Sequence, residues 1–369
     1  MTKRTTTMSA TRSRSTSATK AALVWDIGLD VGDHKTHYCM LERTTGEMRE
    51  GTVSTNAEAL EKFFTPLVAS RVVLEVGSQS RWIQKFLRGL GMDAIVCEAR
   101  KSSEVNKNKR KNNRIDARTL AELLRANLPF LSKVEHRSDE EQRVWTQLRC
   151  RDTLIGVRTK LINLIRGVSK SSGCVLPWCN ADGFGRKNHD KVPADLKEVL
   201  NPIFTLLAEL HERVRGYDRK IEAEAARRPE AQRLAEIPGV GSLTAVAFLV
   251  AIGNIRRFRR SRDVGAYLGL VPKERATGDS NPQLGISKRG NCYVRKLLVN
   301  AGHYTIGKLN KTDTDLRRWG LLHAGTSKNQ KKRAVVAVAR KLAGVMAAML
   351  RSGSPYVPLR QKLAEKISA

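Results

Sequence analysis

Three acidic residues stand where a carboxylate can take part in chemistry. Asp30 interrupts the apolar stretch of residues 24–40, Glu75 follows a second apolar run, and Asp116 lies near the start of a predicted helix. A buried, unpaired carboxylate is so unfavourable that it normally becomes neutral, pairs with a cation or binds a metal. Carboxylate oxygens acting on a phosphate suit Mg²⁺. Two such ions would activate a water or hydroxyl and stabilise the leaving oxygen in phosphodiester chemistry.

Each acid also has a purely structural explanation. Asp30 fits a turn or an ion pair with a nearby lysine, and Glu75 fits an ion pair with an arginine. Asp116 fits the first turn of a helix capped by Asn113, where negative charge is favourable. One metal site explains all three positions together better than three separate coincidences do, because the predicted elements bring them to one edge region of a sheet.

The segments around these acids predict a sheet covered by helices. Three strands, one in residues 24–40, one at 37–42 and one at Met48–Ser54, are expected to form an antiparallel meander. The predicted elements then alternate as a helix at 57–67, a strand at 72–76, a helix at 81–90, a strand at 94–97 and a helix at 115–126. This order predicts a ribonuclease H-like α/β domain. In that topology the first and fourth strands are neighbours, so Asp30 would lie beside Glu75.

The composition indicates a polyanionic partner. The 369 residues include 67 Lys and Arg against 36 Asp and Glu, a formal net charge of +31. Neutralised phosphates release counterions, so nucleic acid is the expected partner and a membrane surface is the second candidate. No apolar run approaches the roughly 20 residues of a membrane-spanning helix. The six cysteines are scattered, as in a reducing cytoplasm, and Cys174, Cys179 and His189 match no standard zinc spacing.

Two basic regions are candidate nucleic-acid contacts. Residues 100–118 hold eight Lys or Arg against two acids, and they adjoin the proposed metal site. A second basic region lies in the stretch 255–262 and in the turn at 286–291. A run of charge is also compatible with a merely solvated face. The candidate contacts are Lys107, Lys109, Arg110, Lys111, Arg114, Arg256, Arg257, Arg259, Arg260, Lys288 and Arg289.

Beyond residue 128 the pattern is helical. Apolar residues at helical spacing predict long helices at Asp139–Ser171 and 194–227. They suggest an antiparallel coiled-coil arm for dimerisation or for reaching along nucleic acid, with a plain helical spacer as the alternative. The sequence Ile-Pro-Gly-Val-Gly at 237–241, followed by a predicted helix, is typical of a helix-hairpin-helix motif. Gly239 and Gly241 would let backbone N–H groups approach a phosphate.

Seven short motifs carry a family resemblance that extends from about residue 27 to 350. They are GLDV at 28–31, LEVG at 74–77, RIDAR at 114–118, IPGVG at 237–241, AYLGLVP at 266–272, ISKRGN at 286–291 and RAVVAVARK at 333–341. With these motifs in this order, the chain resembles the DEDD-type transposases of the bridge-RNA-guided insertion-sequence family, the group that includes the Piv invertase.

The resemblance implies three folded parts. An RuvC-like catalytic domain would occupy residues 23–128, a coiled-coil helical arm residues 129–230, and a mostly α-helical transposase domain with the nucleophile loop residues 231–352. A disordered basic arm at 1–22 and a tail at 353–369 complete the expected division. The resemblance further implies Mg²⁺, cleavage and rejoining of target and element DNA, a noncoding guide RNA, a homodimer or tetramer, and a bacterial, nucleoid-associated location in the cytoplasm.

The resemblance also assigns site residues. Asp30, Glu75 and Asp116 fall on the first, second and fourth acids of the DEDD set, and Asn113 stands at the third. Thr277 takes the place of the family's nucleophilic serine, with Ser280 three residues further on. A threonine hydroxyl can serve as a nucleophile. The two departures, at residues 113 and 277, support a second hypothesis, a catalytically impaired relative that still binds nucleic acid. A third is an RuvC-like nuclease or junction resolvase without a covalent intermediate.

Overall fold

The computed structural model describes residues 24–67, 69–98, 113–126, 133–273 and 284–359. Contacts within the chain divide it into two units, residues 1–136 and 137–369. The division into five segments stays a prediction, and its basic arm at 1–22 lies outside the described residues.

The first unit is built on a five-stranded mixed sheet. Its strands are β1 (Trp25–Val31), β2 (Lys35–Glu42), β3 (Met48–Ser54), β4 (Arg71–Glu75) and β5 (Asp93–Cys97), in the order β3-β2-β1-β4-β5. The first three strands pair antiparallel, whereas β4 is parallel to both β1 and β5. The prediction that the first and fourth strands are neighbours is therefore confirmed.

Helices cover both faces of this sheet. They are α1 (Ala57–Phe64), α2 (Ser80–Gly89) and α3 (Asn113–Ala126). Ile27 and Leu29 of β1 are fully buried in a cluster with Phe64 of α1 and Leu87 of α2. Alternate residues of a strand face opposite sides, so Gly28 faces the other side, where α3 packs closely against β1.

A buried ion pair joins the strands on the α3 side of the sheet. Asp26 is 1% exposed and lies opposite Arg71 in the parallel register of β1 and β4. Arg71 donates two hydrogen bonds of 2.8 Å to its carboxylate, and Arg43 donates a third of 3.0 Å. The Asp26 carboxylate raises the pKa of the Arg71 guanidinium. The pair satisfies a charge that would otherwise be buried without a partner.

The second unit begins with two helices of 33 residues, α4 (Asp139–Ser171) and α6 (Ala194–Ala226). Val144 near the start of α4 shares a core cluster with Ile221 near the end of α6. Ile165 near the end of α4 shares another with Leu200 near the start of α6. The two helices are therefore antiparallel. The short helix α5 (Phe184–Asn188) lies between them in the sequence.

Among the described residues of the second unit, six more helices pack around one large core. They are α7 (Pro229–Ala235), α8 (Ser242–Ile252), α9 (Asp263–Tyr267), α10 (Cys292–Ile306), α11 (Asp315–Leu322) and α12 (Lys328–Ser352). The bases of α4 and α6 contribute to the same core. Within the ranges that the structure describes, no helix is both long and apolar enough to cross a membrane.

Candidate active site and nucleic-acid interface

Asp30 and Glu75 occupy adjacent positions on neighbouring strands. The parallel register pairs Leu29 of β1 with Leu74 of β4, so each acid is the next residue along its strand. Neighbouring strands lie roughly 4.8 Å apart. Both acids are half-buried. The sheet thus carries two carboxylates side by side at the carboxyl ends of two parallel strands.

Both carboxylates belong to the face of the sheet that α3 covers. Asp30 lies two residues after Gly28, and Glu75 lies two residues after Val73. Gly28 is in close contact with α3, and Val73 packs in a cluster with Leu120 of α3. Strand residues two apart share a face. The two acids therefore point to the α3 side of the sheet.

Asp116 reaches this region because α3 crosses β1 at a glycine. A β-carbon on Gly28 would lie 2.1 Å from the carbonyl oxygen of Ala117 and 2.5 Å from the amide nitrogen of Ala121. Only a residue without a side chain permits so close an approach. Asp116, the residue before Ala117, is half-buried in the first turn of α3. The helix start is thus held against the strand that carries Asp30.

Burial also affects the residue beside Glu75. Cys97 of β5 is the register partner of Glu75 and is 1% exposed. Burial, and secondarily the Glu75 charge, raise the pKa of the Cys97 thiol to about 12. The thiol is therefore protonated at neutral pH and is neither a nucleophile nor a ready metal ligand.

The donor chemistry fits Mg²⁺, although the described side chains form no closed cluster. Asp30 and Glu75 supply the carboxylate oxygens that Mg²⁺ prefers, and Asp116 lies on the helix above them. No group of three or more His, Cys, Asp or Glu able to hold a metal occurs within the described ranges. The fit therefore rests on the adjacent pair, and Asp116 as a third ligand stays a prediction.

Several predicted site residues cannot be placed. Asn113 and Arg114 belong to α3, but the description does not extend to their side chains. The predicted nucleophiles and the basic residues before α3 lie outside the described residues; these are Thr277, Ser280, Lys107, Lys109, Arg110 and Lys111.

In the second unit, an exposed basic stretch surrounds two aromatic rings. The guanidinium of Arg257 lies 4.7 Å from the ring centroids of both Phe258 and Tyr267. These rings meet edge-on, with their centroids 5.3 Å apart. Arg351 donates hydrogen bonds to the carbonyls of Phe258 and Arg259, which fixes the stretch. The predicted contacts Arg256, Arg257, Arg259 and Arg260 are all exposed.

The turn that carries Lys288 and Arg289 is packed against the backbone of Tyr267 and Leu268. A β-carbon on Gly290, whose φ is +71°, would lie 2.0 Å from the carbonyl oxygen of Tyr267. Arg295 donates 2.8 Å hydrogen bonds to the carbonyls of Arg289 and Leu268, so it joins the two segments. Among the described residues, Lys288 alone has a positive φ without being glycine. Two basic stretches that are separate in sequence thus form one surface.

Sequence reasoning did not identify the residues that assemble this surface. Tyr267 is 39% exposed, and its ring lies under a guanidinium. The sequence feature that could have indicated this surface is Phe258, an aromatic residue in the middle of the arginine-rich stretch 255–262.

Gly239 and Gly241 lie in the turn between α7 and α8. Gly241 is the residue immediately before α8, and Val240 donates a 2.9 Å backbone hydrogen bond to Ile237. The two helices and their tight turn have the order that the hairpin motif requires. The helix-hairpin-helix assignment and its role in contacting phosphate stay predictions.

Comparison with known proteins places the chain among transposases. A family profile described as "Transposase" (DEDD_Tnp_IS110) matches residues 27–171, and one described as "Transposase IS116/IS110/IS902 family" matches residues 231–316. The transposase for insertion sequence element IS1111A of Coxiella burnetii is 34% identical over 300 residues, which cover 77% of this chain and 79% of that protein. The probable family 20 transposase of Pseudomonas aeruginosa is 29% identical over 306 residues, 80% and 88% of the two chains.

A recombination protein is also similar to the chain. The pilin gene-inverting protein of Moraxella bovis is 30% identical over 128 residues, 34% of this chain and 38% of that protein. The DEDD profile implies a ribonuclease H-like fold, in agreement with the mixed five-stranded sheet of the first unit. Transposases of this kind cleave and rejoin DNA. With a 34% identical relative matched over most of its length, the chain belongs to the IS110/IS116 family of insertion-sequence transposases.

Proposed function

We propose that this protein is the recombinase of an insertion sequence, which uses Mg²⁺ and a hydroxyl nucleophile to cut and rejoin DNA under the guidance of a noncoding RNA. The observation that carries the proposal is the adjacency of Asp30 and Glu75 on the α3 face of the sheet. Adjacent carboxylates are the expected arrangement for holding a divalent cation at a phosphodiester.

The residues take distinct roles in this proposal. Asp30, Glu75 and Asp116 would hold Mg²⁺, with Asn113 as a neutral oxygen donor. When bound, the ion supplies stabilisation of the negative charge that develops on the phosphate oxygens. The three carboxylates would fix the position of the ion. The close packing of α3 on Gly28 would hold the start of that helix, and with it Asp116, against β1.

The hydroxyl of Thr277 would make the covalent bond to DNA. Its oxygen attacks a backbone phosphorus while its proton passes to water, and the deoxyribose oxygen departs with the bonding electrons and takes up a proton from water as a free hydroxyl. The strand end is then held as a phosphodiester to the protein. Attack by the hydroxyl of another strand reverses the step and rejoins the DNA. One phosphodiester replaces another each time, so no nucleotide cofactor is required.

The basic surface of the second unit would hold the nucleic acid. Arg257, Lys288 and Arg289 offer positive charge next to the exposed ring of Tyr267. Arginine and lysine bind phosphates without regard to sequence, and an aromatic ring stacks on an unpaired base. Target choice would therefore depend on pairing with the guide RNA. A homodimer or tetramer on the bacterial nucleoid would hold two duplexes together.

A search for protein–DNA adducts tests the proposal. Purified protein would be incubated with Mg²⁺, the element's flanking noncoding RNA and supercoiled DNA that carries the element junction, and the products would be resolved on a denaturing gel. Thr277→Ala, Thr277→Ser and Ser280→Ala identify the hydroxyl. Asp30→Asn and Glu75→Gln test the metal site. Glu47→Gln, at an exposed carboxylate of the same unit, is the matched control.

We expect an adduct that is lost in Thr277→Ala, Asp30→Asn and Glu75→Gln and kept in Glu47→Gln. Loss in Ser280→Ala alone would move the nucleophile to that residue. Unchanged cleavage by Asp30→Asn and Glu75→Gln would refute the metal site.

Two other outcomes would replace the proposal. Cleavage without any adduct would identify an RuvC-like nuclease or junction resolvase. Nucleic-acid binding without cleavage or adduct would identify a catalytically impaired relative, which the residues at 113 and 277 favour. An adduct that appears only in Thr277→Ser would show that the threonine methyl group blocks the attack.

A further inference from the structure

The second unit contains a large open cavity beside its last helix. The cavity lies between α11, α12, residues 270–273, residues 284–286 and the segment 355–358. We call it the α12 groove. Its volume of about 1510 Å³ exceeds the roughly 300–1,000 Å³ of a small-molecule pocket. The size suits an extended ligand.

The charge of the α12 groove suits a polyanion. Among the described lining residues, Asp315 is the single acid, and six side chains are cationic. Arg333 and Arg340 are seven residues apart on α12, so they share a face and are separated by about 10 Å along the helix axis. The cationic residues of the groove are Arg262, Lys273, Lys332, Arg333, Arg340 and Lys341.

The floor of the same groove is apolar and aromatic. Val336, Val345 and Met349 line it, together with Trp319 of α11. The ammonium of Lys341 lies 4.3 Å from the centroid of the Trp319 ring. A cationic wall over an apolar floor matches a ligand that is charged along one edge and flat and apolar along the other.

His323 adds a second ring at this floor. Its ring centroid lies 4.3 Å from that of Trp319, at an angle of 33°. Its Nδ1–H donates a 2.8 Å hydrogen bond to the Trp319 carbonyl, which fixes the orientation of the imidazole. His323 is exposed. The ring is therefore held in place with surface available for stacking.

Paired DNA does not match these features. In a duplex the flat faces of the bases are stacked on one another, so only phosphates and groove edges are offered to a protein. An unpaired strand offers both phosphates and base faces, which proteins bind with basic grooves and aromatic side chains. We infer that the α12 groove holds an unpaired stretch of single-stranded DNA, with phosphates along Arg333 and Arg340 and bases against the floor near Trp319 and His323.

The choice of DNA rests on the proposed function. Lys273 and Leu284, the two residues that flank 274–283, both line the groove. That interval contains Thr277, the proposed nucleophile. On the proposed function, the strand that occupies the groove is the DNA strand next to the cut, and the groove would hold its bases away from re-pairing while the ends are exchanged.

Photocrosslinking tests the inference with the full-length protein. The probe is a fluorescent 12-nucleotide oligothymidylate that carries 5-iodo-deoxyuridine, bound in EDTA so that no cleavage occurs. Trypsin cuts after Arg318 and Lys328, so Trp319 and His323 fall in one peptide, residues 319–328. We expect the principal cross-link in that peptide. Cross-links confined to other peptides would overturn the inference.

Binding of matched variants gives the second readout. Trp319→Ala should weaken binding of the single-stranded probe at least about fivefold, and Trp319→Phe should restore most of it. The pair Arg333→Gln and Arg340→Gln should reduce the salt slope by about 1.4, since each single-strand phosphate contact contributes about 0.7. The control pair Arg186→Gln and Lys187→Gln removes equal charge from exposed positions on α5. It should leave the ratio of single-strand to duplex affinity unchanged.

Other occupants give other results. Equal losses for duplex and single-stranded DNA in Trp319→Ala would overturn the inference, and so would tighter, Trp319-dependent binding of oligouridylate RNA. A cross-link that forms only after deletion of residues 360–369 would show that this chain's own end occupies the groove. Binding and cross-linking are both measured in EDTA and require no cleavage and no nucleophile. Failure of the adduct experiment and failure of this one are therefore distinguishable.

Discussion

The contact between Gly28 and α3 is the feature of the candidate site that a single methyl group can test. In Gly28→Ala the new β-carbon would lie 2.1 Å from one backbone atom of α3 and 2.5 Å from another. Neither atom can rotate away, because both belong to the helix backbone. To restore an ordinary contact, α3 must withdraw from β1 by roughly 1 Å.

The expected effects follow from that displacement. Overpacking a close-packed interface costs about 1–3 kcal/mol of stability. Because two backbone atoms clash here, we expect a cost near the upper limit, about 3 kcal/mol. This cost raises the equilibrium constant for local opening of the β1–α3 contact roughly a hundredfold. A displacement of about 1 Å in a catalytic group lowers rates by about a hundredfold. Adduct formation should fall accordingly, because Asp116 moves with α3.

Hydrogen exchange measured by mass spectrometry reports the two units separately. Peptides from β1 and α3 should lose protection in Gly28→Ala, whereas peptides from α10 and α12 should not change. Gly89→Ala is the matched control, because nothing lies within 4 Å of the added β-carbon in α2. Alanine is the better helix former there by about 1 kcal/mol. If the β1 and α3 peptides of Gly28→Ala are as well protected from hydrogen exchange as those of Gly89→Ala, the close approach of α3 to β1 is refuted.

Two further predictions concern buried groups of the same unit. Asp26→Asn should lower the free energy of unfolding by about 2 kcal/mol, because it weakens the charge-assisted hydrogen bonds that Arg71 and Arg43 donate to the buried Asp26 carboxylate; urea unfolding would measure this loss. The control Glu47→Gln breaks an exposed pair and should cost at most about 1 kcal/mol. With a pKa raised to about 12, the Cys97 thiol stays protonated at pH 8.5, so iodoacetamide should label exposed Cys292 and spare Cys97. Equal labelling, quantified by mass spectrometry, would contradict the burial of Cys97.

Regular elements were predictable where local signals agree with the packing. The predicted helix at Asp139–Ser171 has the observed bounds, since Ser138 and Glu141 form a reciprocal capping box at its start. The predicted strand at Met48–Ser54 also matches, and the helix predicted to follow residue 241 begins at Ser242. By contrast, α11 was not predicted. It is short and lies in a polar stretch, so its helical form depends on packing against α10 and α12.

The candidate carboxylate site was predictable in part. An acid within an apolar run is visible in the sequence, and strand order follows from the alternation of elements, so Asp30 and Glu75 could be expected as neighbours. The partner of Asp26 could not, because Arg71 is 45 residues away and the pairing depends on the parallel register of β1 and β4. The role of Gly28 likewise depends on where α3 crosses the sheet.

The sequence by itself determined the basic character of the chain, the order of its strands and long helices, and its family, because composition, hydrophobic period and motif order are local or cumulative properties. Only the tertiary structure decided which distant residues meet. Tyr267, Lys288 and Arg289 form one surface because a glycine turn packs against a helix end. Trp319 faces the cations of α12 because α11 folds back on that helix. Such contacts arise from close packing between elements far apart in sequence, and no local pattern encodes them.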